Sequence, residues 1–270
     1  LKCTTVVFPF DQFGSAGTGA GAQLLGDAIR EIIEDTNDET AATRADAYRG
    51  KLVVRETPFE AMAQVAAWRA TGRKLAKQHL ATGDFLLWLA GNHLGVLPVL
   101  EELGPETLVI QFDAHLDVHH FHDTTKELSH GNFLRHMDGP LPRIVNVGHR
   151  DLLLTKNEID RWFEAVIPAE ELVGGMETAA RTLRKLARSA PRVWIDVDCD
   201  ALDPSVLPAV QHPQPFGLSA AAFLTLAQAV CGKNLAGVSI SEFDPGRDVR
   251  DTSLNLLGWF LEWLIVRRME

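Results

Sequence analysis

The sequence predicts an α/β fold, a three-layer α/β/α arrangement around a central, mainly parallel sheet, with residues 1–270 forming a single domain. Two observations carry this reading. Short apolar runs alternate with helical patterns from one end of the chain to the other, and those runs are continuously apolar rather than alternately polar. A strand buried on both faces has that composition, and helices on both sides of a parallel sheet provide the burial. No internal repeat, low-complexity tract or interdomain linker divides the chain.

Taken in order, Thr4 to Phe10 is rich in β-branched and aromatic residues and predicts a strand. The glycines from Gly14 to Gly21 predict a loop, without the Gly-Lys-Ser/Thr ending of a phosphate loop. Gln23 to Glu34 has a helical pattern, Asp35 to Arg49 predicts an exposed connection, and Leu52-Val53-Val54 another strand. Phe59 to His79 is Ala-rich and proline-free, which predicts one long helix. Further strands are expected at Phe85–Leu89, Leu108–Phe112, Arg143–Val147, Ala165–Ile167, Val193–Val197 and Gly237–Ile240, with helices at Glu177–Arg188, Ala220–Val230 and Leu254–Arg268. Ligands of such sheets sit beyond the carboxyl ends of the strands. Polar residues follow the apolar runs there repeatedly: His93, Asp113, the pair Asp198 and Asp200, and Glu242.

Composition excludes several function classes. A net charge of −10 argues against nucleic acid or an anionic membrane as partner. No apolar stretch approaches the roughly 18–20 residues that span a bilayer. Cys3, Cys199 and Cys231 are sparse and widely spaced, which points to reduced thiols and a cytoplasmic location. The chain begins at Leu1, which leaves open whether a leader precedes it.

Two acidic runs point to chemistry: Asp113-Ala114-His115-Leu116-Asp117 and Asp196-Val197-Asp198-Cys199-Asp200. In an extended segment, residues two apart share a face, so each run presents a row of metal-ligand groups. Carboxylates with a few imidazoles suit manganese and similar divalent ions. Two such strand ends side by side could hold two bridged ions, the layout of a hydrolase that makes hydroxide at neutral pH. By the same alternation Cys199 faces away and reads as a packed thiol.

With these runs in place, the chain resembles the ureohydrolase family of arginase, agmatinase and formimidoylglutamase. Gly91-Asn92-His93 is similar to the family's Gly-Gly-Asp-His, and Asp113 to Asp117 to its Asp-Ala-His-x-Asp. Asp198-Cys199-Asp200-Ala201-Leu202-Asp203-Pro204 matches Asp-x-Asp-x-x-Asp-Pro, and Glu242 to Asp248 matches Glu-x-x-Pro-x-x-Asp. Ser129-His130-Gly131 resembles a step of agmatinase-like members. The resemblance implies an arginase-like fold and two Mn2+ ions per chain about 3.5 Å apart. It implies one ion on His93, Asp113, Asp117 and Asp198, and the other on Asp113, His115, Asp198 and Asp200. A metal-bridging hydroxide, hydrogen-bonded to Asp117, would attack the carbon of a small guanidino or related amidine substrate and release urea and an amine. Glu242 would pair with the guanidinium, and His130 would shuttle protons. A homo-oligomer, trimeric or hexameric, is also implied. Each residue has a plainer reading in isolation: Glu242 as a solvated acid, His130 as a helix cap, Asp248 as a structural acid.

Departures from the pattern bear on substrate and metal. Asp196 stands where the family usually has serine and adds a carboxylate near the site. Asn92 replaces the usual Asp, which removes a charge near the ligands. His212 and Leu94 replace polar positions, and His119, His120 and His122 are expected at the pocket mouth. The segment from Val118 to Thr125 lacks the asparagine and serine with which arginase-like members bind an α-amino acid, so an agmatinase-like preference is expected over arginine. The alternatives are a formimidoylglutamase-type or other C–N hydrolase on the same fold, and a non-catalytic binding homologue, against which the retained ligands argue.

Overall fold

A computed structural model describes residues 1–119 and 126–270. The strands are β1 (Cys3–Phe8), β2 (Leu52–Glu56), β3 (Phe85–Ala90), β4 (Thr107–Phe112), β5 (Arg143–Val147), β6 (Ala165–Ile167), β7 (Arg192–Asp198) and β8 (Leu235–Ser241). They form one eight-stranded sheet in the order β2-β1-β3-β8-β7-β4-β5-β6. Every pairing is parallel, so the sheet is fully rather than mainly parallel. The helices are α1 (Thr18–Asp38), α2 (Met62–Ala66), α3 (Trp68–Leu80), α4 (Leu97–Leu103), α5 (Lys156–Ile159), α6 (Ala169–Leu172), α7 (Met176–Ser189), α8 (Ala220–Val230) and α9 (Thr252–Met269).

The continuous apolar runs are explained by burial on two faces. In β3, Phe85, Leu87 and Leu89 enter one core while Leu86, Trp88 and Ala90 enter the other. The first core is closed by α1, α7, α8 and α9 through Leu25, Leu183, Leu226 and Leu261. The second is closed by α3 and α4 through Trp68, Ala76, Leu97 and Leu100. Each such side chain contributes roughly 1.5–3 kcal/mol relative to exposure, so neither face tolerates an alternating polar pattern. Among the described residues no helix is long and apolar enough to cross a membrane.

Three local expectations are corrected. Gly14 to Gly17 form the expected loop, but the rest of that glycine run supplies the first turn of α1, which starts at Thr18 and runs on to Asp38. Asp11 Oδ2 accepts from the amides of Gly17 and Gly19 at 2.8 and 3.3 Å and holds that end. The connection after α1 is not wholly exposed, because Tyr48 is buried and its hydroxyl donates to Glu262 at 2.8 Å. The long helix from Phe59 is broken at Ala67, between α2 and α3, and begins only at Met62. Phe59 packs edge-on against Phe10 with ring centroids 5.6 Å apart, while Trp68 stacks on the same ring at 4.4 Å. A single straight helix from Phe59 would put those two side chains on opposite faces, so the shared contact requires Phe59 to lie outside it, as the start at Met62 allows.

Candidate metal centre

Strands β3 and β4 are consecutive in the chain but are separated in the sheet by β8 and β7. The chain therefore diverges around the middle of the sheet, and the carboxyl ends of these neighbours open into one crevice. Each delivers part of a site: His93 from beyond β3, Glu242 from beyond β8, Asp198 from the end of β7 and Asp200 just past it, and Asp113, His115 and Asp117 from beyond β4. Asp117 and Glu242 adopt positive φ, 49° and 64°. Such a conformation is rare for non-glycine residues and turns both carboxylates inward. The Glu242 amide donates to the Gly91 carbonyl at 2.8 Å, which anchors its turn.

Two sets of donor atoms, His93/Asp113/Asp198 and Asp113/His115/Asp200, each lie within 4.8 Å of one another. Asp113 spans both, with Oδ2 3.4 Å from His93 Nδ1 and Oδ1 3.8 Å from His115 Nδ1. Asp117 Oδ2 joins the first set 2.6 Å from His93 Nδ1. Asp200 Oδ2 lies 2.9 Å from His115 Nδ1 in the second. Asp198 Oδ2 lies 3.2 Å from His93 Nδ1, while its Oδ1 accepts the Asp200 amide at 3.0 Å, so its carboxylate leans to the first set.

The donors fit a pair of divalent cations. His93 Nδ1, Asp113 Oδ2 and Asp117 Oδ2 are buried, make no hydrogen bond and converge on one point. Burial, then repulsion from Asp117 and Asp198, lifts the Asp113 carboxyl well above its ordinary range. Burial and Asp200 do the same to Asp198. Burial opposes charge on His93, but Asp196 and Asp117 outweigh it and hold the imidazole well above its usual pKa. Burial would also raise Asp200, yet His115 beside it keeps that carboxyl down at about 2. Bound cations would relieve this crowding of carboxylates by taking the place of protons. Carboxylate and imidazole donors with no thiolate suit Mn2+ and similar ions.

A family model of the arginase family matches residues 2–264. The chain belongs to the arginase family. It is 29% identical over 170 residues to a mitochondrial arginase of Medicago truncatula, covering 61% of this chain and 50% of that protein. A guanidinopropionase of Pseudomonas aeruginosa is 28% identical over 183 residues, covering 64% of this chain and 57% of that protein. The chain thus spans about half the length of the curated relatives it matches. The agmatine ureohydrolase of Thermoplasma volcanium superposes with a TM-score of 0.78 at 20% identity, covering 99% of this chain and 89% of that one. That likeness shows the fold alone.

Around the donors the arginase-family crevice widens to a cavity of about 540 Å³. His130 lines it with Nδ1 3.2 Å from Glu242 Oε1, which also accepts the His93 amide at 2.9 Å. Burial alone would lower the His130 pKa, but the hydrogen bond to Glu242 raises it. His212 lies on the same wall, its ring centroid 5.9 Å from that of His130, and burial beside His130 lowers its pKa. His119 also lines the cavity, as expected; His120 and His122 lie outside the described residues. Asn92 donates to the Gln12 carbonyl at 2.9 Å, tying a loop. Cys199 is buried, and Asp248 accepts from the Ser253 and Leu254 amides at the start of α9.

Two features of the wall escaped the reading of the sequence. Arg150 spends its donors on main-chain carbonyls: Nη1 on Gly148 and Ala201, Nη2 on Asp200 and Gln214, Nε on Pro215. It ties the loop after β5 to the segment that carries Asp200. The only signal was a charged residue just past a strand end. Leu152 and Leu153 line the cavity while 87% and 70% exposed. Nothing in an isolated Leu-Leu-Leu run separates a rim from a core.

Proposed function

We propose that the chain is a binuclear-metal amidinohydrolase of agmatinase type, using Mn2+, that cleaves a C–N bond of a linear guanidino compound to urea and an amine. The observation that carries this is the double donor set sharing Asp113 beneath a cavity whose inner wall holds the His130–Glu242 pair. His93, Asp113, Asp117 and Asp198 would hold one ion, and Asp113, His115, Asp198 and Asp200 the other. Such a pair, when bound, supplies a water acidified toward neutral pH.

The chain's own residues would do the rest. The buried Glu242 carboxylate would draw the substrate's cationic head into the crevice and align it by paired N–H bonds. His130, with its raised pKa, would carry a proton at neutral pH and deliver it to the departing amine. Asp117 would orient the attacking water by accepting its hydrogen. Among the described residues, the wall beyond this floor carries Leu152, Leu153, Gln211 and Gln214 beside His119, Arg150 and Asp151. Asp151, also on that wall, has Oδ1 engaged by the Leu153 and Leu154 amides. These features support a substrate without an α-amino-acid head. They also speak against a formimino amino acid, because the guanidinium of Arg150 is engaged by carbonyls and offers no clamp for a substrate carboxylate.

The test is urea release by manganese-reconstituted protein from agmatine, guanidinobutyrate, guanidinopropionate and arginine, with Asp200→Ala as control. Urea from one of the first three, absent in the control, is expected. No urea from any of them, with both ions bound, would overturn the reading and favour formimino or acyl-amide substrates.

A further inference from the structure

Asp196 is fully buried in the middle of β7, between Gln111 of β4 and Ser239 of β8. Its Oδ2 lies 2.9 Å from His93 Nε2, and its Oδ1 accepts the Ser239 hydroxyl at 2.6 Å. Ser239 Oγ in turn accepts the Trp194 indole N–H at 2.9 Å. The direction of this chain follows from the indole, which can only donate. Ser239 therefore accepts there and gives its single hydrogen to Asp196 Oδ1, which leaves Asp196 Oδ2 as the acceptor facing His93 Nε2. With the proton on Nε2, the lone pair of Nδ1 faces Asp113, Asp117 and Asp198. Among the described residues no carboxylate plays this part for His115, whose pairings run through Nδ1.

We propose that Asp196 is the positioning residue of the His93 metal site, fixing the tautomer and ring angle of that ligand and making the two sites unequal. The proposal rests on the metal reading above. A carboxylate behind a ligating imidazole raises its basicity, and its loss typically weakens metal binding about 10–100-fold. Asparagine cannot substitute. With its NH2 toward His93 it forces the proton onto Nδ1; with its NH2 toward Ser239 it displaces the hydroxyl hydrogen and leaves only a neutral acceptor.

The experiment is calorimetric titration of the metal-stripped full chain with Mn2+, comparing wild type, Asp196→Asn and Ser239→Ala, with circular dichroism of each metal-free form. The expected result is two ions in wild type, at least about tenfold weaker binding at one site in Asp196→Asn, an unchanged second site, and a smaller loss at the same site in Ser239→Ala. Long-range proton–nitrogen NMR of metal-free wild type, taken at a pH where the His93 imidazole is neutral, should show its single proton on Nε2. Unchanged affinities, or equal weakening at both sites, would overturn the proposal. If Asp196→Asn does not fold, an unchanged Ser239→Ala overturns it. Wild type that binds no ion sinks the metal reading itself, and the proposal with it.

Discussion

His130 and Glu242 illustrate how single residues here are tuned by what they touch. The His130–Glu242 bond raises the imidazole pKa in the folded state against the penalty of burial. Its stabilising contribution is therefore complete below the unfolded value of about 6.5 and is lost as pH rises through the folded value. In metal-free protein, the stability gap between wild type and His130→Asn should narrow from pH 6 to pH 9; a constant gap in denaturant unfolding would refute this. In the loaded enzyme the same substitution should lower kcat by about 10²-fold or more, with both ions still bound by elemental analysis. Loss of metal together with activity would instead make His130 a structural residue.

At the scale of elements, the site depends on how closely α1 approaches the strand ends. A Cβ on Gly21 would sit 1.9 Å from the carbonyl oxygen of Phe243, the residue after Glu242. Gly91 is under similar constraint, with Phe10 O at 2.4 Å from its would-be Cβ. Main chain cannot yield as a flexible side chain does, so Gly21→Ala should destabilise by about 1–3 kcal/mol or more and displace Glu242. Chemical denaturation combined with KM for the productive guanidino compound checks this. Full stability with unchanged KM would show that α1 can shift away. The same element explains why the glycine run read as a loop: glycine's low helix propensity hides a helix whose glycines serve close packing.

On the scale of the whole molecule, a net charge of −10 is concentrated partly in a buried crevice, where carboxylates repel one another without cations. Metal binding should therefore stabilise the fold. An ion at 100 times its Kd adds about 2.7 kcal/mol, a rise in Tm of roughly 5–10 °C for a chain of this size. Thermal unfolding with and without a chelator measures it, and a Tm indifferent to Mn2+ would argue against a metal pair at this site.

Much of this was legible in the residues themselves. Continuous apolar runs such as Phe85–Leu89 reveal strands because two-sided burial leaves no room for polar residues. Asp113, His115, Asp117, Asp198 and Asp200 could be picked out because the chemistry demands fixed spacing near strand ends, and spacing is local. The late start, at Met62, of the helix expected from Phe59 leaves Phe59 to pack on the ring that Trp68 stacks on, and was not legible, because no local propensity encodes that contact. Nor was the part played by Asp196, Arg150 or the rim leucines. Their partners lie on other strands and loops, so their meaning exists only once the sheet order brings β3, β8, β7 and β4 side by side. The sequence alone determined which groups are available for chemistry; tertiary structure decided which of them meet, because contact distance is a property of the folded sheet and not of the chain.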